Sequence, residues 1–246
     1  MDMTQISVSE PVKMDGPHNF RDLGGYPAKD GTTRKGWIFR SDGLGTLSDA
    51  DRNWKMEHGI TCVLDLRSER EMEHTPDKLN ESFEYHAIPM SDRMNSSENG
   101  TDLPDRLSDL YIQILDCYQD KFRKIAETLV NRKGKPAVFH CAVGKDRTGV
   151  TAMLLLGLAG VPEEVILQDY TVSENNMKEI FDQQRELLRQ AGWKVPDGLF
   201  RSPREEMERT IRHLKETWGS AEEYFKDCGV LENELSELKG YLVEKD

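Results

Sequence analysis

A ten-residue stretch from His140 to Gly149, HCAVGKDRTG, combines a thiol, two cations and a carboxylate. Before it, the apolar run 137–140 predicts a buried strand. After it, a longer apolar run predicts a helix that begins near Arg147 and ends near Ala159. Ligands of open α/β sheets bind at the strand ends that such loops follow. Main-chain N–H groups and the helix N-terminus attract anions there, so the stretch predicts an anion site that contains a nucleophile.

Cys141 and Arg147 are the residues of this loop with the most specific chemistry, and the pattern is C-x5-R. The positive field of such a loop favours the thiolate of Cys141, which is the nucleophilic form. The planar guanidinium of Arg147 can hold two oxygens of one phosphoryl group, unlike an ammonium. We therefore predict that Cys141 attacks phosphorus and that Arg147 clamps the phosphoryl oxygens.

The other loop residues are predicted to bind phosphate. Main-chain N–H groups supply the cradle, Lys145 adds a second, mobile cation, and Thr148 is placed to offer its hydroxyl to the departing sulfur. The predicted phosphate-binding residues are Ala142, Val143, Gly144, Lys145 and Thr148.

Other uses of the loop do not fit its spacing. A nucleotide-binding loop needs G-x-x-x-x-G-K-[ST], but Phe139 stands at the first glycine position and Asp146 follows the lysine. A cysteine protease needs a partner histidine, and strand geometry points His140 away from Cys141. Arsenate reductases also use C-x5-R but need resolving cysteines, and Cys228 has none near it in the sequence.

The composition limits the classes of function. The chain has 246 residues, 33 Lys and Arg against 45 Asp and Glu, and a net charge of -12, which argues against a nucleic-acid binder. Its four cysteines are scattered without metal-ligand spacing, so we predict no metal and no cofactor. The N-terminus lacks the basic start and apolar run of a signal peptide, and the longest apolar segment, 149–161, is too short for a membrane span. A cytoplasmic protein without an integral membrane segment is predicted, with export by another route left open.

Strand-like and helical segments alternate along the first two thirds of the chain, and the rest is helical. This order predicts an α/β fold with a mainly parallel central sheet flanked by helices and with a helical C-terminal third. Because no linker composition separates the parts, we predict one domain over 1–246. Within it, 1–14 is predicted to be a flexible tail and 171–246 a helical extension packed on the core.

Several motifs together are similar to the bacterial atypical group of the protein tyrosine phosphatase superfamily. Besides HCAVGKDRTG, they are Asn19–Gly25 (NFRDLGG), Phe39–Asp42 (FRSD), Leu64–Arg67 (LDLR) with Glu71, and Trp218–Tyr224 with Gly229. The resemblance covers nearly the whole chain, and it implies a protein tyrosine phosphatase-like fold. It also implies a metal-independent phosphomonoesterase that forms a phosphocysteine. The implied partners are phosphorylated proteins carrying phosphotyrosine, in some members phosphoserine or phosphothreonine, or phosphoinositides.

The general acid is open between two carboxylates, because the chain lacks the Trp-Pro-Asp loop of the larger tyrosine phosphatases. Asp146 is favoured, partly since the atypical group carries an aspartate inside the loop. Its alternative role is to cap the following helix. Asp92, in a loop after a predicted strand, is the second candidate, and its alternative is an ordinary surface position.

Six further residues are predicted to lie behind or beside the loop: His140, Arg21, Asp22, Asp42, Asp65 and Arg67. Arg21 and Asp22 either border the pocket or form an ion pair that orders an N-terminal turn. The last three lie near predicted strand ends and are expected to brace the loop. The helix over 176–190 is either ordinary packing or a lid.

A domain that captures phosphorylated ligands without turnover is the alternative class of function. Inactive relatives commonly lose either the cysteine or the arginine of the loop. Because both Cys141 and Arg147 are present, the enzyme is favoured. The natural substrate and the oligomeric state stay open.

Overall fold

The computed structural model describes residues 8–90, 106–192 and 197–245. The strands in these ranges are β1 (Arg21–Asp22), β2 (Pro27–Ala28), β3 (Gly31–Thr33), β4 (Ile38–Ser41), β5 (Cys62–Asp65), β6 (Glu84–Ala87), β7 (Ala137–His140) and β8 (Val243–Glu244). The helices are α1 (Asp49–Glu57), α2 (Glu69–His74), α3 (Leu107–Cys117), α4 (Gln119–Asn131), α5 (Asp146–Leu158), α6 (Glu163–Asn176), α7 (Lys178–Gln190), α8 (Arg204–Trp218), α9 (Ala221–Asp227) and α10 (Glu232–Leu242), with a 3₁₀ helix at Asp197–Phe200. Within these ranges, none of the helices has the length and apolar composition that a bilayer span requires.

The central sheet has the strand order β1-β4-β7-β5-β6. β1 runs antiparallel to β4, and the other four strands are parallel to one another. This confirms the predicted, mainly parallel sheet. Ser41, His140 and Asp65, the last residues of β4, β7 and β5, are paired side by side. The loops that follow these residues therefore enter the same space at the carboxyl edge of the sheet.

Both faces of the sheet are buried. In β7, Phe139 belongs to a larger hydrophobic cluster and Val138 to a smaller one, and Leu64 and Val63 of β5 divide in the same way. Successive side chains of a strand point to opposite faces, so the two clusters lie on opposite sides of the sheet. Helices α3 to α6 and α8 to α10 contribute to the larger cluster, while Trp54 of α1 packs against the smaller one. The flanking helices are thus as predicted.

Two short helices begin with capping boxes. At the start of α1, Ser48 Oγ accepts from the N–H of Asp51 at 3.1 Å, and the Asp51 carboxylate accepts from the N–H of Ser48 at 3.1 Å. Ser68 and Glu71 make the same reciprocal pair at α2. The pair in α2 has a second consequence, because it holds the Glu71 carboxylate at the edge where the loops converge.

The C-terminal third is helical, and it packs on the sheet domain. Met207 of α8, Tyr224 of α9 and Leu238 of α10 belong to the same cluster as the strand residues. Its end is not helical, however, because β8 joins β3 and β2 in a second sheet, with Val243 opposite Thr33. A two-residue strand carries too short a pattern for sequence periodicity to reveal it.

Of the tail predicted over 1–14, the structure describes residues 8–14, and these contact the rest of the chain. In residues 8–14, the N–H of Val12 donates to the carbonyl of Phe20 at 2.8 Å. Val12 and Met14 also pack against the smaller hydrophobic cluster. Backbone hydrogen bonds of this kind do not depend on residue type, so amino-acid composition cannot reveal them.

Candidate active site

The loop between β7 and α5 starts at Cys141, whose side chain is buried at the carboxyl edge of the sheet. Gly144 in its middle has a φ of +68°, which side chains rarely tolerate. A Cβ at this position would lie 2.5 Å from the carbonyl oxygen of Ser41. The loop therefore needs glycine both for its backbone conformation and for its close approach to β4.

The loop carbonyl groups are held by residues outside the loop. The Ala142 carbonyl accepts from the N–H of Gly43 at 3.0 Å. Asn19 Nδ2 donates to the Val143 carbonyl at 3.2 Å and to the Gly144 carbonyl at 3.1 Å. None of the described residues has a cis peptide bond. Since a planar trans peptide carries its C=O and N–H on opposite sides, each held carbonyl turns the next N–H the other way.

The N–H groups turned in this way belong to Val143, Gly144 and Lys145. None of the three donates a hydrogen bond to any residue in the described ranges. Gly144 and Lys145 are buried and Val143 is partly buried. Buried donors are nearly always paired in folded proteins, so consecutive unpaired N–H groups here mark a place for an anion. This geometry fits the predicted phosphate cradle.

Arg147, in the first turn of α5, is paired with Glu71 of α2. Nη1 donates to Oε2 at 2.6 Å and Nη2 donates to Oε1 at 2.9 Å, and Nη1 also donates to the Met90 carbonyl at 3.1 Å. Burial alone would raise the pKa of Glu71, but the Arg147 guanidinium holds it below its usual range. The two parallel hydrogen bonds fix the plane of the guanidinium, which is what a phosphoryl clamp requires.

Thr148 carries an unpaired hydroxyl one residue beyond Arg147. Its side chain is fully buried, and Oγ1 makes no hydrogen bond to any residue that the structure describes. A buried hydroxyl without a partner is costly, so a group at the site is the natural acceptor or donor for it. The observation is compatible with the role predicted for Thr148 toward the departing sulfur.

Lys145 is not the mobile cation that the sequence suggested. Its side chain is completely buried, and Nζ donates to the carbonyls of Leu199 at 2.8 Å and Arg201 at 2.9 Å. A buried ammonium needs acceptors, and these two carbonyls supply them. The ammonium is therefore fixed on the segment around the 3₁₀ helix, and what Lys145 offers to the cradle is its main-chain N–H.

Asp146 is the first residue of α5, and Lys145 occupies the N-cap position. The capping role considered for Asp146 is therefore wrong. Its Oδ1 accepts from the Tyr111 hydroxyl at 2.5 Å, and that hydroxyl lies 2.7 Å from the hydroxyl of Tyr170. Lys145 Nζ lies 3.5 Å from the same Oδ1, and Oδ2 makes no hydrogen bond to any described residue. Asp92, the second candidate acid, lies outside the described residues.

His140, Asp65 and Arg67 form a buried network behind the loop, together with Asp77. His140 Nδ1 lies 3.1 Å from the Cys141 carbonyl, and Nε2 lies 2.9 Å from Asp77 Oδ2. Burial would lower the pKa of His140, but Asp77 raises it above its usual value. Arg67 donates to Asp65 at 2.9 Å and to Asp77 at 2.8 Å. The positions of Asp65 and Arg67 are compatible with the bracing role predicted for them. His140 lies behind the loop, as predicted for it, and Asp77 is an addition.

Two groups of three potential metal ligands occur within the described ranges: Asp65, Asp77 and His140, and Cys62, Glu84 and His86. In the first group, Arg67 forms ion pairs with both carboxylates. In the second, Arg132 pairs with Glu84 at 2.5 Å. A metal would have to displace a guanidinium in either place, so neither group fits a metal centre.

Arg21 and Asp22 turn to different partners. Arg21 is fully buried and donates to Asp169 Oδ1 at 2.9 Å and to the Asp169 carbonyl at 2.7 Å. Asp22 accepts from the N–H groups of Gly24 at 2.8 Å and Gly36 at 2.7 Å. Arg21 thus forms an ion pair that orders the N-terminal segment, with Asp169 in place of Asp22.

Asp42 lies after β4 and braces the same N-terminal segment. Its carboxylate accepts from the N–H of His18 at 3.1 Å and from the N–H of Asn19 at 2.9 Å. Burial raises the pKa of Asp42 despite these bonds. Asp42 therefore acts on the loop through Asn19.

A cleft of about 660 Å³ extends from the loop, a size typical of small-ligand pockets. Its lining includes Gly16, His18, Gly43, Thr46, Pro76, Lys78, Ala142, Val143, Met177, Ile180 and Gln184. Helix α7 forms one wall, since Ile180 faces the cleft while Phe181 packs against Phe200. The helix at 176–190 is thus part of the packing and also borders the approach to the loop.

Sequence reasoning missed four residues that hold the loop or its supports: Asn19, Arg40, Glu71 and Asp169. The first three belong to the motifs that resemble the phosphatase family, so the sequence singled them out but did not indicate what each one does. Glu71 in addition completes a Ser-x-x-Glu pattern, which predicts a capping box. Asp169 lies in an ordinary helix, and nothing in the sequence distinguishes it.

Comparison with known proteins gives the following matches. Residues 12–244 match the model of a tyrosine phosphatase family. A tyrosine-protein phosphatase of Nostoc commune is 32% identical over 211 residues, which cover 81% of this chain and 72% of that protein. The triple specificity protein phosphatase PtpB of Mycobacterium tuberculosis is 25% identical over 274 residues, covering 94% and 98%. The crystal structure of P. aeruginosa TpbA covers 79% of this chain and 87% of that one, at 11% identity and a TM-score of 0.37.

Proposed function

Because the chain belongs to the tyrosine phosphatase family and is a phosphoric monoester hydrolase, we propose that it dephosphorylates phosphotyrosine in proteins through a phosphocysteine on Cys141. Phosphoserine and phosphothreonine are proposed as further substrates, which the words "triple specificity" in a relative's name support. The observation that carries the proposal is the row of unpaired N–H groups on Val143, Gly144 and Lys145, next to the guanidinium that Glu71 orients.

In the first step, the Cys141 thiolate attacks phosphorus, the S–P bond forms and the P–O bond to the leaving group breaks. The three equatorial oxygens of the transferring group carry the negative charge. The loop N–H groups and the Arg147 guanidinium bind these oxygens, and donors fixed in advance stabilise the transition state without reorganisation.

The proton needed by the leaving oxygen comes from Asp146 in this proposal. Its Oδ1 is held by Tyr111, so Oδ2 is the oxygen that carries the proton. In the second step, Asp146 takes a proton from a water molecule, which attacks the phosphocysteine. The S–P bond breaks, inorganic phosphate leaves, and the Thr148 hydroxyl donates to the thiolate that re-forms.

Hydrolysis of p-nitrophenyl phosphate in the presence of EDTA tests the reaction class. We expect equal amounts of p-nitrophenol and inorganic phosphate, at a rate that EDTA does not change. Activity that EDTA removes and zinc or magnesium restores would contradict the cysteine mechanism. Binding of tungstate without any turnover would instead support the domain that only captures phosphorylated ligands.

A phosphoinositide is the alternative substrate, and a free ammonium on Lys145 would suit its polyanionic head group. Because the Lys145 ammonium is occupied by the carbonyls of Leu199 and Arg201, the phosphoprotein substrate is favoured. A panel of phosphopeptides and vesicles with phosphoinositides separates them by kcat/KM. The highest value is expected for phosphotyrosine peptides, and a higher value for any phosphoinositide would reverse the assignment.

The proton donor is tested by the Asp146→Asn variant across aryl phosphates with different leaving groups. A positioned acid contributes about 10²–10⁴-fold, mostly where the leaving group is poor. We therefore expect a small loss of kcat for p-nitrophenyl phosphate and a loss in that range for phenyl phosphate. A loss of kcat that is the same for every leaving group would show that Asp146 is not the proton donor, and Asp92 would then be the candidate.

A further inference from the structure

Asn19 is more firmly held than an ordinary surface amide. Its Oδ1 accepts from Arg21 Nη1 at 2.5 Å and from Asn176 Nδ2 at 3.0 Å. Since arginine can only donate, the oxygen of the amide must face Arg21, and the NH₂ group must face the loop. That NH₂ group bonds the carbonyls of Val143 and Gly144.

Arg40 reaches the same loop carbonyl from the end of β4. Its Nη2 donates to the Gly144 carbonyl at 2.7 Å, and its Nη1 forms an ion pair with Asp169. Arg40 and Arg21 are both fully buried, and both pair with this single carboxylate. Two buried cations share one anion, so the cluster beneath the loop carries an excess of positive charge.

These contacts fix the orientation of the peptide groups in the loop. With the Val143 and Gly144 carbonyls fixed behind the loop, the N–H groups of Gly144 and Lys145 have one direction left, which is into the cradle. If the two peptides were free to rotate, a carbonyl oxygen could face the bound phosphate and repel it. The donors on Asn19 and Arg40 oppose that rotation.

We propose that Asn19 and Arg40 are positioning residues for phosphoryl transfer, which orient the loop N–H groups although neither touches the substrate. The proposal rests on the phosphatase function proposed above. Asn19 is also held by Asn176, the last residue of α6, and Asp169 lies on that helix too. Helix α6 therefore supports both positioning residues from one side.

The Asn19→Asp variant separates positioning from folding. Aspartate keeps an oxygen for Arg21 and Asn176 but has no N–H for the loop carbonyls. Its charge offsets the excess of arginine, but aspartate also places an oxygen against the two loop carbonyls. The urea midpoint of unfolding is therefore measured beside kcat, and kcat is compared without urea at a temperature at which both proteins are fully folded. Misdirected donors typically lower the rate by about 10²-fold, and this loss is expected in kcat. Tungstate should bind about tenfold more weakly when the variant is made in a Cys141→Ser background.

Asp22→Asn is the matched control, because it makes the reverse exchange in the same segment. Within the described ranges, the hydrogen bonds of the Asp22 carboxylate go to Gly24 and Gly36 and not to the loop. This variant is expected to keep kcat and tungstate affinity. Arg40→Lys, which keeps the charge beside Asp169 but cannot also reach Gly144, should lose kcat as Asn19→Asp does.

Two results would overturn the proposal and can be told apart. If the wild type hydrolyses p-nitrophenyl phosphate and Cys141→Ser binds tungstate, but Asn19→Asp changes neither kcat nor affinity, then the positioning role alone is wrong. If the wild type has no turnover and Cys141→Ser binds no tungstate, the proposed function is wrong, and the positioning role goes with it.

Discussion

Replacing Cys141 by serine is expected to lower kcat/KM for p-nitrophenyl phosphate by at least about 10⁴-fold, as for other enzymes that lose their nucleophile. The neutral hydroxyl is a far weaker nucleophile than the thiolate, and the neighbouring His140 faces Asp77 at 2.9 Å, so it is not placed to activate the hydroxyl. The measurement is a comparison of initial rates for purified wild type and variant at the same pH.

The variant should keep the phosphate cradle, since the loop N–H groups and Arg147 are unchanged. Tungstate is therefore expected to bind to Cys141→Ser. Cys117→Ser provides the control, because Cys117 is exposed and lies at the end of α3, and it should retain full activity. Substantial turnover by Cys141→Ser would rule out the phosphocysteine intermediate.

Replacing Asp169 by asparagine is expected to lower the free energy of unfolding by about 3–5 kcal/mol, the cost of removing one partner from a buried ion pair. Arg21 and Arg40 are fully buried and both pair with this carboxylate. An amide of the same shape leaves two guanidinium groups without an anion. Urea unfolding at pH 7, followed by tryptophan fluorescence, measures the loss.

Glu164→Gln is the matched control on the same helix. Glu164 pairs with Arg204 at 2.6 Å, but the two side chains are 43% and 42% exposed, and pairs open to solvent contribute about 0–1 kcal/mol. If both variants lost a similar free energy of unfolding, the buried cluster would contribute no more to stability than a surface ion pair does.

The effect of Asp169 also depends on pH in a defined direction. Burial alone would raise the pKa of Asp169. The attraction of Arg21 and Arg40 outweighs burial, so the pKa of Asp169 lies below its usual value. A carboxyl with a depressed pKa stabilises the folded state at pH values above its unfolded pKa of about 3.9, and this stabilisation is lost as pH falls through the folded pKa. The difference between wild type and Asp169→Asn is thus expected to be constant from pH 7 to about 5 and to shrink below about pH 4.

The sheet could be predicted from the sequence, and Cys141 and Arg147 could be proposed as the catalytic pair, because each rests on local information. Strand periodicity located β4, β5 and β7, and the spacing of Cys141 and Arg147 identified one loop at a strand end. The prediction that Asp42, Asp65 and Arg67 brace the loop used the same reasoning, since parallel strands bring their carboxyl ends to one edge.

The supports of the loop could not be predicted in the same way, because they join residues far apart in the sequence. Asn19 contacts a loop 124 residues away, and no local pattern encodes that distance. The Lys145 ammonium was expected in the cradle, since sequence shows that a cation is present but not which acceptors compete for it. Its partners, the carbonyls of Leu199 and Arg201, are main-chain atoms and have no residue signature.

The cluster of Arg21, Arg40 and Asp169 limits when the N-terminal segment can fold during synthesis. Asp169 follows Arg40 by 129 residues and Arg21 by 148 residues. At typical translation rates, this interval lasts on the order of 10 s. Until α6 leaves the ribosome, both arginines lack their anion and the N-terminal segment cannot settle beneath the loop. The proposed phosphate cradle therefore gains its full support only after α6 has emerged, although Asn19, Arg40 and Glu71 are made before the loop itself.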